Sequence, residues 1–180
     1  YERIKEQTPE ICMKAVKQDG WNLLFVKNQT PEMCMEAVKQ NGYALEYVNK
    51  EFQTPEMCME AVKQNGRALK FVKEQTPEIC MEAVKKNGIA IIYVEEQTPE
   101  ICLEAVKKNG LNLEHVIEQT PEICLEAVKQ DGRALEFVKN EEMAKLCFKF
   151  LEYKMSLSHL KEKTILTNEE IILILDFIRK

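Results

Sequence analysis

The chain has 180 residues, enough for one domain with a substantial core. Its composition, 45% hydrophobic and 31% charged, is typical of a folded globular protein and argues against disorder. The formal net charge of -5 argues against the basic character of a nucleic-acid-binding protein. No apolar run approaches the roughly 18 residues that a membrane span requires, so no membrane contact is predicted.

A motif of four residues, Gln-Thr-Pro-Glu, recurs through most of the chain. Its glutamines fall at positions 7, 29, 53, 75, 97 and 119, so the spacing is 22 residues except for 24 between the second and the third. All six prolines and all six glycines belong to the same pattern. Such regular recurrence predicts a repeat architecture, with six helix-pair repeats over residues 7–139.

Each repeat begins with the signals of a short α-helix, as in Thr120, Pro121 and Glu122. Threonine is a favourable N-cap, proline fits the first helical position, and glutamate in the first turn complements the helix dipole. An Asn-Gly or Asp-Gly pair, such as Asn109 and Gly110, predicts the end of the helix, because glycine readily adopts the left-handed conformation. The predicted first helix is therefore about 11 residues long.

A second, shorter helix is predicted after each glycine, as from Arg133 to Lys139. At 100° per residue, the apolar residues of the first helix cover an arc of about 200°. That arc is wide enough to face the second helix and both neighbouring repeats. Isolated helices this short are marginal in water, so stacking must supply the burial. The predicted fold is all-α, an α-solenoid of stacked short helical hairpins with about 22 residues per repeat and a C-terminal helical cap.

Two regions depart from the regular repeat near the start of the chain. Residues 1–6 match the end of a preceding repeat, since Ile4 occupies the place that Val26 holds one repeat later. We therefore expect the chain to begin with half a repeat or to be part of a longer array. The two extra residues in the stretch 49–52 predict a longer loop or an extra half-turn before Thr54, and a bend in the stack is the alternative.

Residues 140–180 predict a degenerate seventh repeat followed by a capping helix. The first-helix pattern continues at Leu146, Cys147, Phe148, Phe150 and Leu151. A capping box from Thr167 to Glu170 predicts a helix from Ile171 to about Arg179, against a strand as the competing interpretation of its isoleucines. We expect this helix to pack on the last repeat. The alternative is self-association through Ile171–Ile178.

Cysteine occurs once per repeat, at Cys12, Cys34, Cys58, Cys80, Cys102 and Cys124, and Cys147 follows. No two form a C-x-x-C pair, which argues against zinc or redox chemistry. Equivalent positions of stacked repeats should lie roughly 8–10 Å apart, beyond the roughly 7 Å over which a disulfide can form. The spacing predicts a column of buried free thiols. Such thiols suit an intracellular, reducing compartment, such as cytoplasm, host cytoplasm or a virion.

The string T-P-E-I-C-L-E-A-V-K-Q-D-G-R-A-L-E-F-V at residues 120–138 resembles domain-of-unknown-function family 4116. The resemblance covers about residues 7–139 and recurs six times. Proteins similar to this family occur mainly in large DNA viruses, intracellular bacteria and protists. The resemblance implies a repeat architecture and an intracellular or virus-related setting. The family has no assigned activity, cofactor or catalytic residue that could be carried over to this chain.

Side chains with catalytic chemistry are few. His115 occupies the position of the aromatic residues Phe25, Tyr47, Phe71, Tyr93 and Phe137, which indicates a packing role. His159 follows Ser158, but adjacent helical residues do not face each other, and no third group to orient them is identifiable. We predict no catalytic residue, cofactor or metal site, and hence no enzyme.

Two ladders of charged residues follow the repeats. The glutamates are Glu10, Glu32, Glu56, Glu78, Glu100 and Glu122, and the lysines are Lys17, Lys39, Lys63, Lys85, Lys107 and Lys129. The glutamates indicate dipole compensation on a solvated face, with cation binding or acid–base chemistry as the alternative. The lysines could contact phosphates, but interleaved glutamates would repel them, which argues against nucleic acid as a partner.

The repeats differ most at two outward positions of the second helix. The pairs are Trp21 with Leu24, Tyr43 with Glu46, Arg67 with Lys70, Ile89 with Ile92, Leu111 with Glu114, and Arg133 with Glu136. Residues three apart on a helix project together, and exposed Trp, Tyr and Arg often anchor interfaces. The candidate partner-binding residues are Trp21, Leu24, Tyr43, Arg67, Ile89, Ile92, Leu111 and Arg133. Neutral drift after duplication is the alternative reading of the same contrast.

These patterns predict a non-catalytic helical-repeat protein that serves as a protein-interaction scaffold or adaptor. The alternative is a structural component of a larger assembly such as a virion. Nucleic-acid binding ranks below both.

Overall fold

The structure, a computed structural model, describes the backbone of residues 7–159 and the side chains of residues 7–153. The predicted half-repeat at residues 1–6 and the predicted helix near residues 171–179 lie outside the described residues. The chain divides into two compact units between Glu96 and Gln97.

Each of the six repeats contains a ten-residue α-helix followed by a six-residue 3-10 helix. In chain order the pairs are α1 (Pro9–Gln18) with η1 (Gly20–Phe25), α2 (Pro31–Gln40) with η2 (Gly42–Tyr47), α3 (Pro55–Gln64) with η4 (Gly66–Phe71), α4 (Pro77–Lys86) with η5 (Gly88–Tyr93), α5 (Pro99–Lys108) with η6 (Gly110–His115), and α6 (Pro121–Gln130) with η7 (Gly132–Phe137). A three-residue 3-10 helix, η3 (Lys50–Phe52), follows η2, and the long helix α7 (Glu141–His159) follows η7. No strand occurs in residues 7–159, and the all-α prediction is confirmed.

The predicted start of each α-helix is confirmed. In the fourth repeat, Thr76 is extended, and its side-chain oxygen accepts a hydrogen bond from the backbone N–H of Ile79 at 3.3 Å. The following proline needs no hydrogen-bond acceptor. The pKa of Glu78 lies below its ordinary value, first because a backbone N–H bonds to the carboxylate and second because the Thr76 hydroxyl does. The Thr-Pro-Glu sequence therefore supplies the partners that the first turn of a helix lacks.

The α-helix of each repeat ends directly before the Asn-Gly or Asp-Gly pair, as predicted, but the geometry of that end differs from the prediction. In the third repeat, Asn65 is extended (φ -148°, ψ 113°), and its backbone N–H bonds to the carbonyl of Ala61. Its side-chain oxygen accepts a hydrogen bond from the N–H of Arg67 at 3.1 Å and so caps the 3-10 helix that follows. Gly66 does not have a left-handed φ. The predicted left-handed role of the glycine is therefore wrong.

Glycine is required instead because two repeats approach each other closely. A Cβ atom on Gly66 would overlap the carbonyl oxygen of Ala83, which lies in the α-helix of the next repeat. The same relation holds for three other pairs, Gly20 with Ala37, Gly42 with Ala61, and Gly110 with Ala127. A side chain at this position would separate the 3-10 helix from the next repeat.

The second helix of each repeat is a 3-10 helix, which has three residues per turn, and its buried and exposed residues accordingly alternate with a three-residue period. In η4, Gly66 and Leu69 are buried together on one side, while Arg67 and Lys70 are exposed together on another. The asparagine cap starts this winding, since the N–H of Ala68 bonds to the carbonyl of Asn65 three residues earlier. In the sixth repeat the second helix was predicted from Arg133 to Lys139. The structure has it at Gly132–Phe137, so it begins one residue earlier and ends two residues earlier.

Packing joins consecutive repeats within each unit. In the first unit, α3 contacts the α-helices before and after it, α2 and α4, and the 3-10 helices η2 and η4. In the second unit, α6 likewise contacts α5, α7, η6 and η7. The core is small and repetitive, with Ala61, Val62 and Leu69 of the third repeat fully buried. The predicted solenoid of stacked helix pairs is confirmed.

The two extra residues of the second repeat are accommodated as a short turn of 3-10 helix, η3. Gly42 still lies against Ala61 of the next repeat, as the equivalent glycines do elsewhere. The insertion therefore lies in the loop, as predicted, and leaves this contact between repeats intact.

Helix α7 covers the last repeat, with contacts to α6 and η7. Its residues Leu146, Cys147 and Phe150 are buried, whereas Phe148 is 51% exposed. Gly132 faces this helix more loosely than the other glycines face their neighbours. A Cβ atom there would lie 3.6 Å from a methyl group of Leu151, an ordinary contact distance.

Replacing Gly66 by Ala is expected to lower the free energy of unfolding by about 1–3 kcal/mol, because the new methyl group meets a backbone oxygen that cannot move alone. Urea unfolding followed by circular dichroism measures this change. The matched control is Gly132→Ala, for which we expect no loss, since the methyl group meets only the side chain of Leu151. Equal losses in the two variants would contradict the close-approach explanation.

Candidate interaction surface

All eight predicted partner-binding residues lie at the second or fifth position of a 3-10 helix. Five of them are exposed, namely Trp21, Leu24, Arg67, Ile92 and Arg133. The other three, Tyr43, Ile89 and Leu111, are half-buried. Six of the eight belong to the first unit, where they lie on the 3-10 helices η1, η2, η4 and η5. Leu111 and Arg133 belong to the second unit. We call the outward side of the 3-10 helices of the first unit, residues 21–93, the 3-10 face.

Aromatic side chains at the sixth position of the 3-10 helices belong to the same surface. The ring of Trp21 lies 5.6 Å from the ring of Tyr47 in the next repeat, measured between centroids. The ring of Tyr43 lies 6.1 Å from that of Phe71 in an edge-on arrangement. Sequence reasoning assigned these aromatic positions to packing alone. Their half-exposure, and 43% exposure for Phe25, makes them part of the 3-10 face.

Two arginines at equivalent positions have different electrostatic surroundings. Arg133 forms an ion pair with Asp131, with a shortest nitrogen–oxygen distance of 2.7 Å. Hydrogen bonds from Arg133 lower the pKa of Asp131 below its ordinary value. In the third repeat the capping residue is Asn65, which is uncharged. Arg67 forms no ion pair with any described residue.

The other charged residues of the 3-10 face are Lys70 and Glu46. The Lys70 ammonium lies 5.1 Å from the ring centroid of Phe71, close enough for a cation–π interaction. Burial raises the pKa of Tyr47, and the charge of Glu46 together with a hydrogen bond to it raises the pKa further. Glu46 thus interacts electrostatically with its neighbour Tyr47, and the Lys70 ammonium lies over the ring of Phe71.

The glutamine of each Gln-Thr-Pro-Glu motif holds the end of the 3-10 helix in its own repeat. In the fourth repeat, the Gln75 amide donates to the carbonyl of Tyr93 at 2.8 Å and accepts from the N–H of Glu95 at 3.2 Å. The other five glutamines make the same two bonds, to residues 18 and 20 positions later: Gln7, Gln29, Gln53, Gln97 and Gln119. Sequence reasoning gave this glutamine no role, although its recurrence was the available signal.

The cysteines lie beneath these glutamines. All seven are buried and free, as predicted. In five repeats the thiol donates to the glutamine oxygen, for example from Cys80 to Gln75 at 3.2 Å. Burial raises the pKa of Cys34, Cys80, Cys102 and Cys124 to about 11, and that of Cys147 to about 12. The thiols are therefore held protonated, as a hydrogen-bond donor must be.

Other chemistry is sparse in the described part of the chain. Residues 7–153 contain no group of three or more His, Cys, Asp or Glu side chains that could hold a metal ion. His115, half-buried, contributes its backbone carbonyl to the bond from Gln97. No helix within residues 7–159 is both long and apolar enough to cross a lipid bilayer.

The fold and its exposed face define a helical-repeat protein of the solenoid type, in which a constant framework carries a variable surface. Five overlapping segments match one family model, at residues 8–53, 30–76, 54–98, 76–119 and 98–143. The chain belongs to this family, which is described as Domain of unknown function (DUF4116). Each match begins at the N-capping threonine of one repeat and extends through the next. No curated protein and no solved structure matches the chain.

Replacing Gln75 by Glu is expected to lower the free energy of unfolding by about 1–3 kcal/mol, since a carboxylate cannot donate to the Tyr93 carbonyl. Urea unfolding provides the measurement. The control is Gln18→Glu, because the exposed Gln18 side chain makes no hydrogen bond to a described residue. A loss in the control as large as in Gln75→Glu would show that charge, and not the lost bond, destabilises the variant.

Stability is expected to fall as the pH rises from about 9 to about 11. The folded-state pKa of four thiols, about 11, exceeds the ordinary 9.0, so the stability that they contribute is complete below about pH 9 and is lost as the pH rises through about 11. These thiols are Cys34, Cys80, Cys102 and Cys124. Thermal unfolding midpoints across this range measure the effect. The variant with Cys34, Cys58 and Cys80 replaced by Ala should show a shallower decline. An identical decline would assign the effect to other groups.

Proposed function

We propose that this chain is a non-catalytic scaffold or adaptor that binds another protein through the 3-10 face. The supporting observation is that exposed large apolar side chains occur at both ends of this face, in the first repeat and in the fourth. Trp21 is 41% exposed, Leu24 53% and Ile92 44%, and all three lie on 3-10 helices of the first unit. Large apolar side chains clustered on a protein surface commonly mark a binding site.

The division between framework and surface supports the same proposal. The buried positions of each repeat carry nearly the same residues. The glutamine and the capping Asn or Asp make the same contacts in all six repeats, and the glycine makes the same close contact at Gly20, Gly42, Gly66 and Gly110. The second and fifth positions of the 3-10 helices vary in size and charge. A repeat array in which only the outward positions vary can match the surface of one particular partner.

The chemistry of the thiols supports an intracellular, reducing setting for this role. Seven buried cysteines remain free, and burial raises the pKa of six of them and so disfavours the reactive thiolate. The exposure of Phe148 and Tyr153 on α7 supports a second candidate function, a structural component of a larger assembly.

Replacing Trp21 and Ile92 together by Ser is expected to weaken partner binding at least about tenfold, because exposed aromatic and branched side chains act as anchors. Affinity capture from native lysate with both forms of the protein, followed by titration of the captured partner, measures the loss. The control is Ile117→Ser, which removes an apolar side chain that is 65% exposed in a loop outside the 3-10 helices.

Unchanged capture by the Trp21 and Ile92 variant, with an intact circular dichroism spectrum, would remove the 3-10 face from the proposal. Size-exclusion chromatography separates the two candidate functions. A scaffold remains monomeric without its partner, whereas a structural component forms larger species that replacement of Phe148 by Ser dissociates.

A further inference from the structure

We infer that the 3-10 face binds an extended segment of a partner protein in which an acidic residue lies between apolar residues. This inference rests on the proposed interaction role and adds the chemistry of the partner. Three observations support it: the order of apolar and cationic side chains along the first unit, the lack of ion pairs between Arg67 or Lys70 and the described residues, and the spacing of the repeats.

The 3-10 face is largely apolar at both ends and cationic in the middle, and the exposed Glu46 lies at the fifth position of the 3-10 helix in the second repeat. Trp21 and Leu24 of the first repeat and Tyr43 of the second form one apolar region, together with the ring of Tyr47 beside Trp21. Ile89 and Ile92 of the fourth repeat form the other. Arg67 and Lys70 of the third repeat lie between them, and both are exposed.

The two cations are available to a partner. Arg67 forms no ion pair with a described residue, because its repeat has Asn65 where the sixth repeat has Asp131. The Lys70 ammonium contacts only the ring of Phe71 among the interactions of the described residues, and Glu46 forms no ion pair with any of them. Two such cations in a chain of net charge -5 form a local site that complements carboxylates.

The repeat spacing sets the pattern that a partner needs. Neighbouring helices pack about 8–10 Å apart, and an extended chain advances about 3.3 Å per residue. An extended segment therefore passes about one repeat for every three residues. A carboxylate opposite Arg67 and Lys70 requires apolar residues about three positions before and after it. An acidic peptide segment of this kind fits the face better than a nucleic acid does, because the apolar side chains on both sides provide no positive charge or hydrogen-bond donor for phosphates.

Panning of a phage-displayed library of random ten-residue peptides on the full chain tests the inference. We expect selected peptides to carry Asp or Glu with apolar residues three positions to either side. A selected peptide in which Lys replaces the acidic residue should bind at least about tenfold more weakly, and the double variant Arg67→Glu, Lys70→Glu should restore its binding. Selection of peptides without an acidic preference, or no selection at all, would overturn the inference.

The variant Asn65→Asp supplies the sharpest comparison. Asp caps the equivalent 3-10 helix in the sixth repeat, so the fold is retained, and the new carboxylate pairs with Arg67 as Asp131 pairs with Arg133. We expect it to weaken binding of the selected acidic peptide at least about fivefold, since one of the two cations is neutralised. The matched control is Asp131→Asn, which should leave that binding unchanged.

The two proposals fail in different ways. If the Trp21 and Ile92 variant loses its partner but Asn65→Asp and the charge reversal do not affect binding, the interaction role stands and the acidic preference is wrong. If homopolymeric RNA displaces the selected peptide and is itself retained in a salt-sensitive manner, the cations serve a nucleic acid and the inference is overturned.

Discussion

Backbone contact between one repeat and the next, made where a glycine has no side chain, is the constraint on which the rest of this structure depends. Gly66 lies against the carbonyl of Ala83, and this approach brings the whole 3-10 helix close to the following α-helix. The burial of Leu69 and Val72 follows from it. Since neither helix of a repeat is long enough to be stable alone, each repeat depends on the neighbour that this contact brings near.

The same contact determines which side of each 3-10 helix is buried and which side faces outward. A 3-10 helix has three residues per turn, so its side chains form three columns. In the first five repeats, one column, with the glycine and a leucine or isoleucine, is buried, and the column with the second and fifth positions faces outward. The glutamine of each repeat fixes the end of the 3-10 helix through two backbone bonds, as Gln53 does with Phe71 and Lys73. The outward column can therefore change without disturbing the stack.

One framework position nevertheless influences the surface. The residue that ends each α-helix is Asn or Asp, and either caps the 3-10 helix, as Asn65 and Asp131 both do. The choice between them decides whether an arginine two residues later is paired or available. Arg133 is paired with Asp131, whereas Arg67 forms no ion pair with any described residue. Local capping chemistry thus sets the electrostatic character of the outward face.

The sequence by itself determined the repeat period, the start of the α-helix in each of the six repeats, the buried free thiols and the outward pairs of the second helix, because these depend on interactions within one turn or on the pattern of apolar residues. Only the tertiary structure decided why the glycine is needed, what Gln75 binds, and that Tyr47 and Phe71 join the exposed face. Each of these depends on atoms that are distant in sequence. The glycine and ring contacts form only when repeats stack, and the glutamine bonds form only when one repeat folds back on itself. The sequence already shows that Asn65 precedes Arg67 where Asp131 precedes Arg133. Only the structure shows that the cap places the Asp131 carboxylate within hydrogen-bonding distance of the Arg133 guanidinium.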